Sequence, residues 1–221
     1  MRSPADTAPP PAHRVLAAAL IHALRMQRAL GARNDRTVVA VAGESGSGKS
    51  VTALCLAGAL NAEGILTTVL HQDDYFHRPP ATNHAYRVAN LDSVGPQEVN
   101  MALLSEHVAA FREGAAVVTV PTVDYEADRF VPQQRSFTSC SVLIVEGTYV
   151  LAHVHADVRI FLQATSEDSR ERRRVRNRDI DAPIVDQVLA IEHPIIARQA
   201  ERADILIDRD FHIVQGRRRP G

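Results

Sequence analysis

The sequence predicts a three-layer α/β fold built around a mostly parallel β-sheet. Short apolar, largely β-branched runs at 37–42, 65–70, 142–145 and 158–162 have the composition of buried parallel strands. Segments with helical character separate these runs, as the crossover connections of parallel strands require. The alternation of the two kinds of segment therefore favours a central sheet covered by helices on both faces.

The remaining elements are assigned by the same patterns. Helices are predicted at 13–30, 49–60, 96–112, 166–178 and 185–203, and further strands at 115–120 and 205–207. The polar segment 71–92, with paired prolines, is expected to be a surface loop. We expect one domain at 13–212 with a small helical lid at about 166–183, between a disordered Pro-rich N-terminus at 1–12 and a basic tail at 213–221.

Composition excludes several classes of protein. The net charge of −1 gives no basic field for nucleic acid or a membrane surface. The two cysteines, Cys55 and Cys140, do not make a disulfide framework and suit a reducing cytoplasm. His22 interrupts the apolar run at 15–24, which we interpret as an amphipathic helix rather than a leader peptide. The sequence carries no indication of oligomeric state.

A complete G-x-x-x-x-G-K-[ST] motif lies between the first strand and the following helix. Its glycines allow backbone N–H groups to surround a phosphate chain, and the helix N-terminus adds positive potential. The alternative is a Gly/Ser-rich linker, which this context disfavours. The motif predicts a P-loop NTPase fold that binds ATP and Mg²⁺ through Gly43, Glu44, Ser45, Gly46, Ser47, Gly48, Lys49, Ser50 and Val51, with Ser50 as a metal ligand.

Lys49 is the only lysine among 25 basic residues. A GC-rich genome explains the excess of arginine, but the exception is informative. Lysine is a compact charge on a thin stem, whereas arginine is a broad planar fork. A site enclosed by amides around phosphates has room for the first and not for the second.

Carboxylates follow two of the predicted strands. Asp73 and Asp74 follow the second strand, and Glu146 follows the apolar run 142–145, as in a Walker B strand. Because the carboxyl ends of parallel strands face the ligand crevice, these acids are expected to lie beside the phosphates. A carboxylate at that position accepts a proton from an attacking hydroxyl or holds Mg²⁺. The alternative for the paired aspartates is a solvated turn.

The segment 169–178 is rich in arginine, and Arg170, Arg174 and Arg178 share one helical stripe with Arg173 beside it. Arginines that close over a γ-phosphate stabilise the charge that spreads over its oxygens during transfer. A solvated basic face and a nucleic-acid patch are the alternatives. No aromatic residues interleave these arginines as stacking platforms, which weighs against nucleic acid.

The ordered set of motifs resembles the uridine kinase and phosphoribulokinase-like family. After the P-loop come Gln72–Phe76, Asn90–Asp92, Pro121–Tyr125 and Val145–Gly147, and the resemblance spans 37–211. It implies that Asp73 is the general base and also lies near the metal, that Asp92 holds sugar hydroxyls, and that Glu146 lies near Mg²⁺. It also implies lid arginines at Arg170, Arg173 and Arg174 and an adenine pocket near 203–208. We further expect Tyr75, Tyr125 and Arg129 to contact the acceptor.

The sequence departs from uridine kinases on the acceptor side. Those enzymes usually read Pro-x-Tyr-Asp-Phe followed by a histidine that contacts the base, whereas Val123 stands at the tyrosine position and 126–128 replaces the histidine region. The usual Glu-Arg-Gly-Arg of the lid is replaced by 179–183. Losing groups that hydrogen-bond a base lowers discrimination strongly.

We therefore expect an ATP-dependent kinase for a small hydroxyl-bearing metabolite. One candidate acceptor is a nucleoside such as uridine or cytidine; others are a sugar, glycerate, pantothenate or a ribulose phosphate. An acceptor that already carries phosphate would need an arginine, for which Arg78, Arg87 and Arg129 are available. A nucleotide-binding regulator without an acceptor is the remaining alternative, although a switch has no need of a base such as Asp73.

Overall fold

The computed structural model describes residues 10–27, 29–30, 36–165, 168 and 182–216. The helices are α1 (Pro11–Met26), α2 (Lys49–Ala62), α3 (Pro80–Ala89), α4 (Met101–Glu113), α5 (Val150–His153) and α6 (Ala182–Ala197). The strands are β1 (Thr37–Gly43), β2 (Thr67–His71), β3 (Val117–Asp124), β4 (Arg129–Ser136), β5 (Val142–Glu146), β6 (Val158–Leu162), β7 (Ile205–Ile207) and β8 (Ile213–Gly216).

Within the described residues, six strands form the central sheet in the spatial order β2-β5-β1-β6-β7-β8. The first five run parallel to their neighbours, and β8 pairs antiparallel with β7. β1 lies in the middle with every residue buried, so the loop that follows it emerges at the centre of the carboxyl edge. The predicted mostly parallel α/β sheet is confirmed.

Alternate residues of β1 serve the two faces of the sheet, as the two-residue period of a strand requires. Val39 and Val41 belong to a core cluster that includes Leu20 of α1 and Leu56 of α2. The other face of the sheet packs against α4, α5 and α6 in a second cluster. Burial on both faces explains why the strand sequences are continuous apolar runs.

The segment after Ala116 differs from its prediction. β3 continues through Pro121 to Asp124 and pairs with β4 in a separate two-stranded antiparallel sheet. Pro121 lies opposite Pro132 in that hairpin. Proline donates no hydrogen bond, so it is tolerated in a two-stranded ribbon whose strands are both edges. The sequence prediction missed β4 and placed the end of β3 too early.

The predicted surface loop at 71–92 is also wrong in part, because it contains a 3₁₀ turn at Gln72–Tyr75 and helix α3. Pro80 occupies a first helical position, where its missing N–H costs nothing. The Asp128 carboxylate accepts the N–H groups of Ala81 (2.7 Å) and Thr82 (2.9 Å). Residues far away in sequence therefore cap this helix, which local patterns do not reveal.

The ends of the chain show smaller differences. α1 begins at Pro11 and ends at Met26, within four residues of the predicted limits. β8 covers 213–216, which the sequence assigned to the basic tail. The predicted lid helix at 166–178 lies almost wholly outside the described residues. Among the described residues, no helix is both long and apolar enough to cross a membrane.

Candidate active site

The loop between β1 and α2 is compact and depends on glycine. Gly46 and Gly48 adopt φ angles of +78° and +99°, which other residues rarely reach. A Cβ added at Gly43 would lie 2.6 Å from the Ser47 hydroxyl oxygen. That hydroxyl is buried and makes no hydrogen bond with the described residues. The backbone of this loop is therefore curled as a phosphate cradle requires.

Glu44, the second residue of the loop, is tied to α6. Its carboxylate lies 2.6 Å from the Nδ1 atom of His193, and the Glu44 residue is buried. The sequence assigned Glu44 to the nucleotide site only as a member of the motif. The contact with His193 connects the loop to the helix that follows the predicted lid, and no local pattern indicated it.

Glu146 lies at the carboxyl end of β5, beside the loop, as predicted. The Nδ1 atom of His71, at the end of β2, is 2.7 Å from its Oε1 atom. Burial works to raise the pKa of Glu146, but the hydrogen bond from His71 and the positive charge of Lys49 outweigh burial and hold that pKa below its usual range. Glu146 is therefore a carboxylate, oriented by His71 and facing the lysine of the loop.

The residues present fit a Mg²⁺ ion. The Oε2 atom of Glu146 is buried and has no hydrogen-bond partner among the described residues. Ser50 lies close enough to lower the pKa of Glu146. Magnesium prefers oxygen ligands and is usually held by one or two carboxylates together with substrate phosphates. The described residues contain no group of three or more His, Cys, Asp or Glu side chains that would hold a metal alone. Ser50 and Glu146 are the candidates, with Asp73 nearby on the turn that follows β2.

The two aspartates after β2 have different surroundings. Asp73 lies on the 3₁₀ turn and is exposed. Asp74 accepts the Val123 N–H at 2.9 Å, and burial raises the pKa of Asp74 in spite of that hydrogen bond. Asp74 therefore anchors β3 to the turn, and Asp73 is the exposed member of the pair. The expectation that both carboxylates lie beside the phosphates stays a prediction.

Tyr75 is a correction to the predicted acceptor contacts. It is 2% exposed, and its hydroxyl lies 2.8 Å from the Nδ1 atom of His107 on α4. Burial raises the pKa of Tyr75. A side chain enclosed in this way supports the turn from below and does not reach a ligand.

The other predicted acceptor residues are accessible. Asp92 is exposed on a 3₁₀ turn after α3, and Tyr125 is 64% exposed at the tip of the β3–β4 hairpin. Arg129 pairs with Asp124 at 3.3 Å in the same tip. Asp128 binds the start of α3, so the hairpin tip and α3 are in direct contact.

Arg87 is not available to an acceptor phosphate. It forms two 2.7 Å hydrogen bonds to Glu98 and one of 3.1 Å to Glu192. The Tyr149 hydroxyl also donates to Glu192, at 2.9 Å. This charge cluster joins α3, the segment before α4, the β5–α5 connection and α6. Sequence reasoning missed it because its members are far apart in the chain.

Gln72 packs against Gly147, the residue that follows Glu146. It is fully buried, and its Oε1 atom accepts the Tyr149 N–H at 2.8 Å. A Cβ at Gly147 would lie 2.3 Å from the Cβ of Gln72. The glycine after Glu146 is therefore required by this close approach.

Arg170, Arg173 and Arg174 lie outside the described residues.

The comparisons with known proteins identify the family of this chain. The phosphoribulokinase/uridine kinase family model matches residues 38–211. The chain is 29% identical over 199 residues to the bifunctional alpha-galactosidase/sucrose kinase AgaSK of Mediterraneibacter gnavus, covering 84% of this chain and only 21% of that protein. It is 30% identical over 193 residues to a uridine kinase of Staphylococcus epidermidis, covering 79% of this chain and 88% of that protein.

A solved structure supports the fold independently. Phosphoribulokinase from Rhodobacter spheroides superposes with a TM-score of 0.56 at 16% identity, covering 79% of this chain and 70% of that one. At that identity the likeness concerns the fold alone. Because the family model matches most of the chain, this chain belongs to the phosphoribulokinase/uridine kinase family of P-loop kinases, whose acceptors are hydroxyl groups.

Proposed function

We propose that this kinase transfers the γ-phosphate of ATP to a hydroxyl of a carbohydrate or similar polyol, with Asp73 as the general base. The observation that carries the choice of acceptor is the environment of Val123. Where uridine kinases usually have a tyrosine, this chain has a residue that is 9% exposed and whose N–H is held by Asp74. Position 123 therefore presents no polar side chain to a pyrimidine base.

The accessible groups on the acceptor side suit hydroxyl ligands. Asp73 and Asp92 are exposed carboxylates, and Arg129 with Asp124 adds a charged pair at the hairpin tip. Carboxylates accept hydrogen bonds from several hydroxyls at once, and such charge-assisted bonds are the stronger kind. The similarity to a protein with a sucrose kinase activity adds support from outside the structure.

In the proposed mechanism the phosphates of ATP lie in the loop 43–50, where Lys49 neutralises the β- and γ-phosphates. Asp73 accepts the proton of the attacking hydroxyl. His71 holds Glu146 in place, and Ser50 and Glu146 would hold a Mg²⁺ ion. When bound, Mg²⁺ neutralises charge on the phosphate oxygens. Positioning and charge stabilisation supply most of the rate gain in this chemistry.

A pyrimidine nucleoside is the second candidate acceptor, favoured by the 30% identity to a uridine kinase over 88% of that protein. In that case other residues of the hairpin tip and α3 hold the base. Tyr125, at the tip, offers an exposed aromatic ring for such a contact.

The test is an ADP-release assay with ATP, Mg²⁺ and a panel of sucrose, fructose, ribose, glycerate, pantothenate, ribulose 5-phosphate, uridine and cytidine. We expect stimulation by a sugar and little by a nucleoside. Strong stimulation by uridine or cytidine alone would overturn the choice of acceptor while leaving the kinase assignment intact.

The role of Asp73 is tested with Asp73→Asn, which keeps the size of the side chain and removes the base. We expect ATP binding to persist and transfer to fall by about 10²–10⁴-fold. Glu113→Gln is the matched control, because Glu113 is an exposed acid at the end of α4. The last turn of α4 binds Arg36, which precedes β1, so Glu113 lies at the opposite edge of the sheet from Asp73. Unchanged turnover in Asp73→Asn would refute the assignment.

A further inference from the structure

Two neighbouring residues of α6 bind two different parts of the candidate active site. Glu192 is buried, and Arg87 of α3 donates to it at 3.1 Å. The Nδ1 atom of His193 lies 2.6 Å from the carboxylate of Glu44 in the phosphate loop. Successive residues of an α-helix point about 100° apart, so one turn of α6 is able to reach both partners. Through adjacent positions, α6 therefore contacts both α3 and the phosphate loop.

The contact between α6 and α3 is strongly held. Arg87 forms two 2.7 Å hydrogen bonds to Glu98, and the Tyr149 hydroxyl donates to Glu192 at 2.9 Å. Burial raises the pKa of Glu192, against the lowering effect of the positive charges of Arg87 and Lys49. Parting a buried ion pair leaves an uncompensated charge, which is costly. We therefore expect α3 and this turn of α6 to move together.

Pro194 follows these two residues inside α6. Proline has no N–H to donate to the carbonyl of Ala190, and its ring clashes with that carbonyl. A proline inside a helix is a common cause of a kink. Ile196, two residues later, is 1% exposed and belongs to the core. The turn that carries Glu192 and His193 is therefore less tightly joined to the anchored end of α6 than it would be in an unbroken helix.

We propose that Glu192 and His193 are positioning residues that couple the phosphate loop to α3, the helix that leads to Asp92 on the acceptor side. The inference rests on the proposed function, which assigns the phosphates of ATP to the loop and the acceptor to the side of Asp92. A ligand in the loop favours one position of Glu44, and the contact with His193 transmits that position to α6. Such coupling is reciprocal, so a change at α3 alters the affinity of the loop for phosphates.

The first measurement is the dissociation constant of inorganic tripolyphosphate, determined by calorimetry with the full chain. Tripolyphosphate carries phosphates without a nucleoside, so it reports on the loop alone. In Glu192→Gln, which keeps the size of the side chain, we expect tripolyphosphate to bind about fivefold more weakly. Arg87→Lys, which loses the planar fork, should have the same effect. Arg25→Lys, at an exposed ion pair with Glu63, is the matched control and should leave the constant unchanged.

The sign of the effect of Glu192→Gln separates coupling from direct electrostatics. The charge of Lys49 acts on Glu192, so the two residues are close enough for a charge change at one to be felt at the other. Removing a negative charge near the loop would by itself strengthen the binding of an anion. Weaker binding is expected only if Glu192 acts through the position of α6. Stronger binding in Glu192→Gln would therefore overturn the proposal.

The route through His193 is tested by combining two distant changes. His193→Ala removes the contact with Glu44 and should also weaken tripolyphosphate binding about fivefold. If both changes break the same connection, Arg87→Lys should cause no further loss in the His193→Ala background. Independent effects would instead multiply to about 25-fold. Multiplication would refute the coupling through α6.

Hydrogen exchange gives a readout that a purely structural role would not change. In the wild type, saturating tripolyphosphate should slow amide exchange in the loop 43–50 and also in α3. In His193→Ala at saturating tripolyphosphate, the loop should remain protected and the effect on α3 should disappear. Continued protection of α3 in this variant would contradict the transmission through His193.

Thermal unfolding shows whether each variant is folded at the assay temperature, and Glu192→Gln provides the test if Arg87→Lys does not fold. Unchanged tripolyphosphate affinity in Glu192→Gln would overturn the proposal. These measurements need no acceptor, so a failure of the coupling leaves the kinase assignment standing. If the wild type did not bind tripolyphosphate, both the proposed phosphate loop and the coupling that rests on it would be overturned.

Discussion

Replacing Gly147 by alanine should destabilise the protein through a single added methyl group. The new Cβ would lie 2.3 Å from the Cβ, 2.6 Å from the Oε1 and 2.8 Å from the Cδ atom of Gln72. Gln72 has no room to withdraw, because it is fully buried and its Oε1 atom binds the Tyr149 N–H. The φ angle of Gly147 is not positive, so the cost is steric rather than conformational.

The expected magnitude has two parts. Overpacking in a dense core costs about 1–3 kcal/mol. If Gln72 moves, the buried Tyr149 N–H loses its acceptor, which costs about 1–3 kcal/mol more. For a chain of this size a loss of about 3 kcal/mol lowers Tm by roughly 6–12 °C.

The assay is thermal unfolding followed by circular dichroism, supported by urea unfolding. Gly58→Ala is the matched control, because Gly58 lies on the exposed side of α2 and an added Cβ there meets nothing within 4 Å. Alanine in a helix interior is favoured over glycine by about 1 kcal/mol, so this variant should gain stability. If Gly147→Ala unfolded within about a degree of the wild type, the reasoning from the Gln72 contact would be refuted.

Three further perturbations test other parts of the structure. Lys49→Arg keeps the charge but is too broad for the loop, and ADP release should fall about 100-fold or more; near-normal release would contradict the steric explanation. Arg87→Met leaves two buried glutamates unpaired and should cost about 3–5 kcal/mol in urea unfolding, whereas Arg25→Met, at an exposed ion pair, should cost less than about 1 kcal/mol; equal losses would contradict the buried cluster. Burial lowers the pKa of His107 below its usual 6.5, so the unfolded chain takes up this proton first and the free energy of unfolding should decrease as pH falls below about 6.5. In His107→Gln that part of the pH dependence should disappear, and an unchanged slope would assign it to other groups.

Local sequence patterns were sufficient for the parts of the fold that depend on short-range chemistry. The apolar runs of β1, β5 and β6 identify buried parallel strands to within a residue or two, since both faces of each strand are covered. The P-loop needs a fixed spacing of glycines and one lysine, because its own backbone forms the cradle for the phosphates. The positions of Asp73 and Glu146 at strand ends follow from the parallel sheet.

Other features depend on residues that meet only in the folded chain. Nothing near Asp74 indicates that it binds the Val123 N–H, and nothing near Tyr75 indicates that it lies under the site against His107. Asp73 and Asp74 are neighbours on one turn but differ in exposure, so the motif alone does not separate the exposed acid from the partly buried one.

By itself, then, the sequence determined the fold class, the nucleotide loop and the acids that follow its strands, because each depends on local spacing and burial. Only the tertiary structure decided that Asp128 caps α3, that Arg87 is occupied by Glu98 and Glu192, and that His13 reaches Phe211. Each of these contacts joins residues more than ten positions apart, and long-range pairing is set by how the layers pack rather than by neighbouring residues.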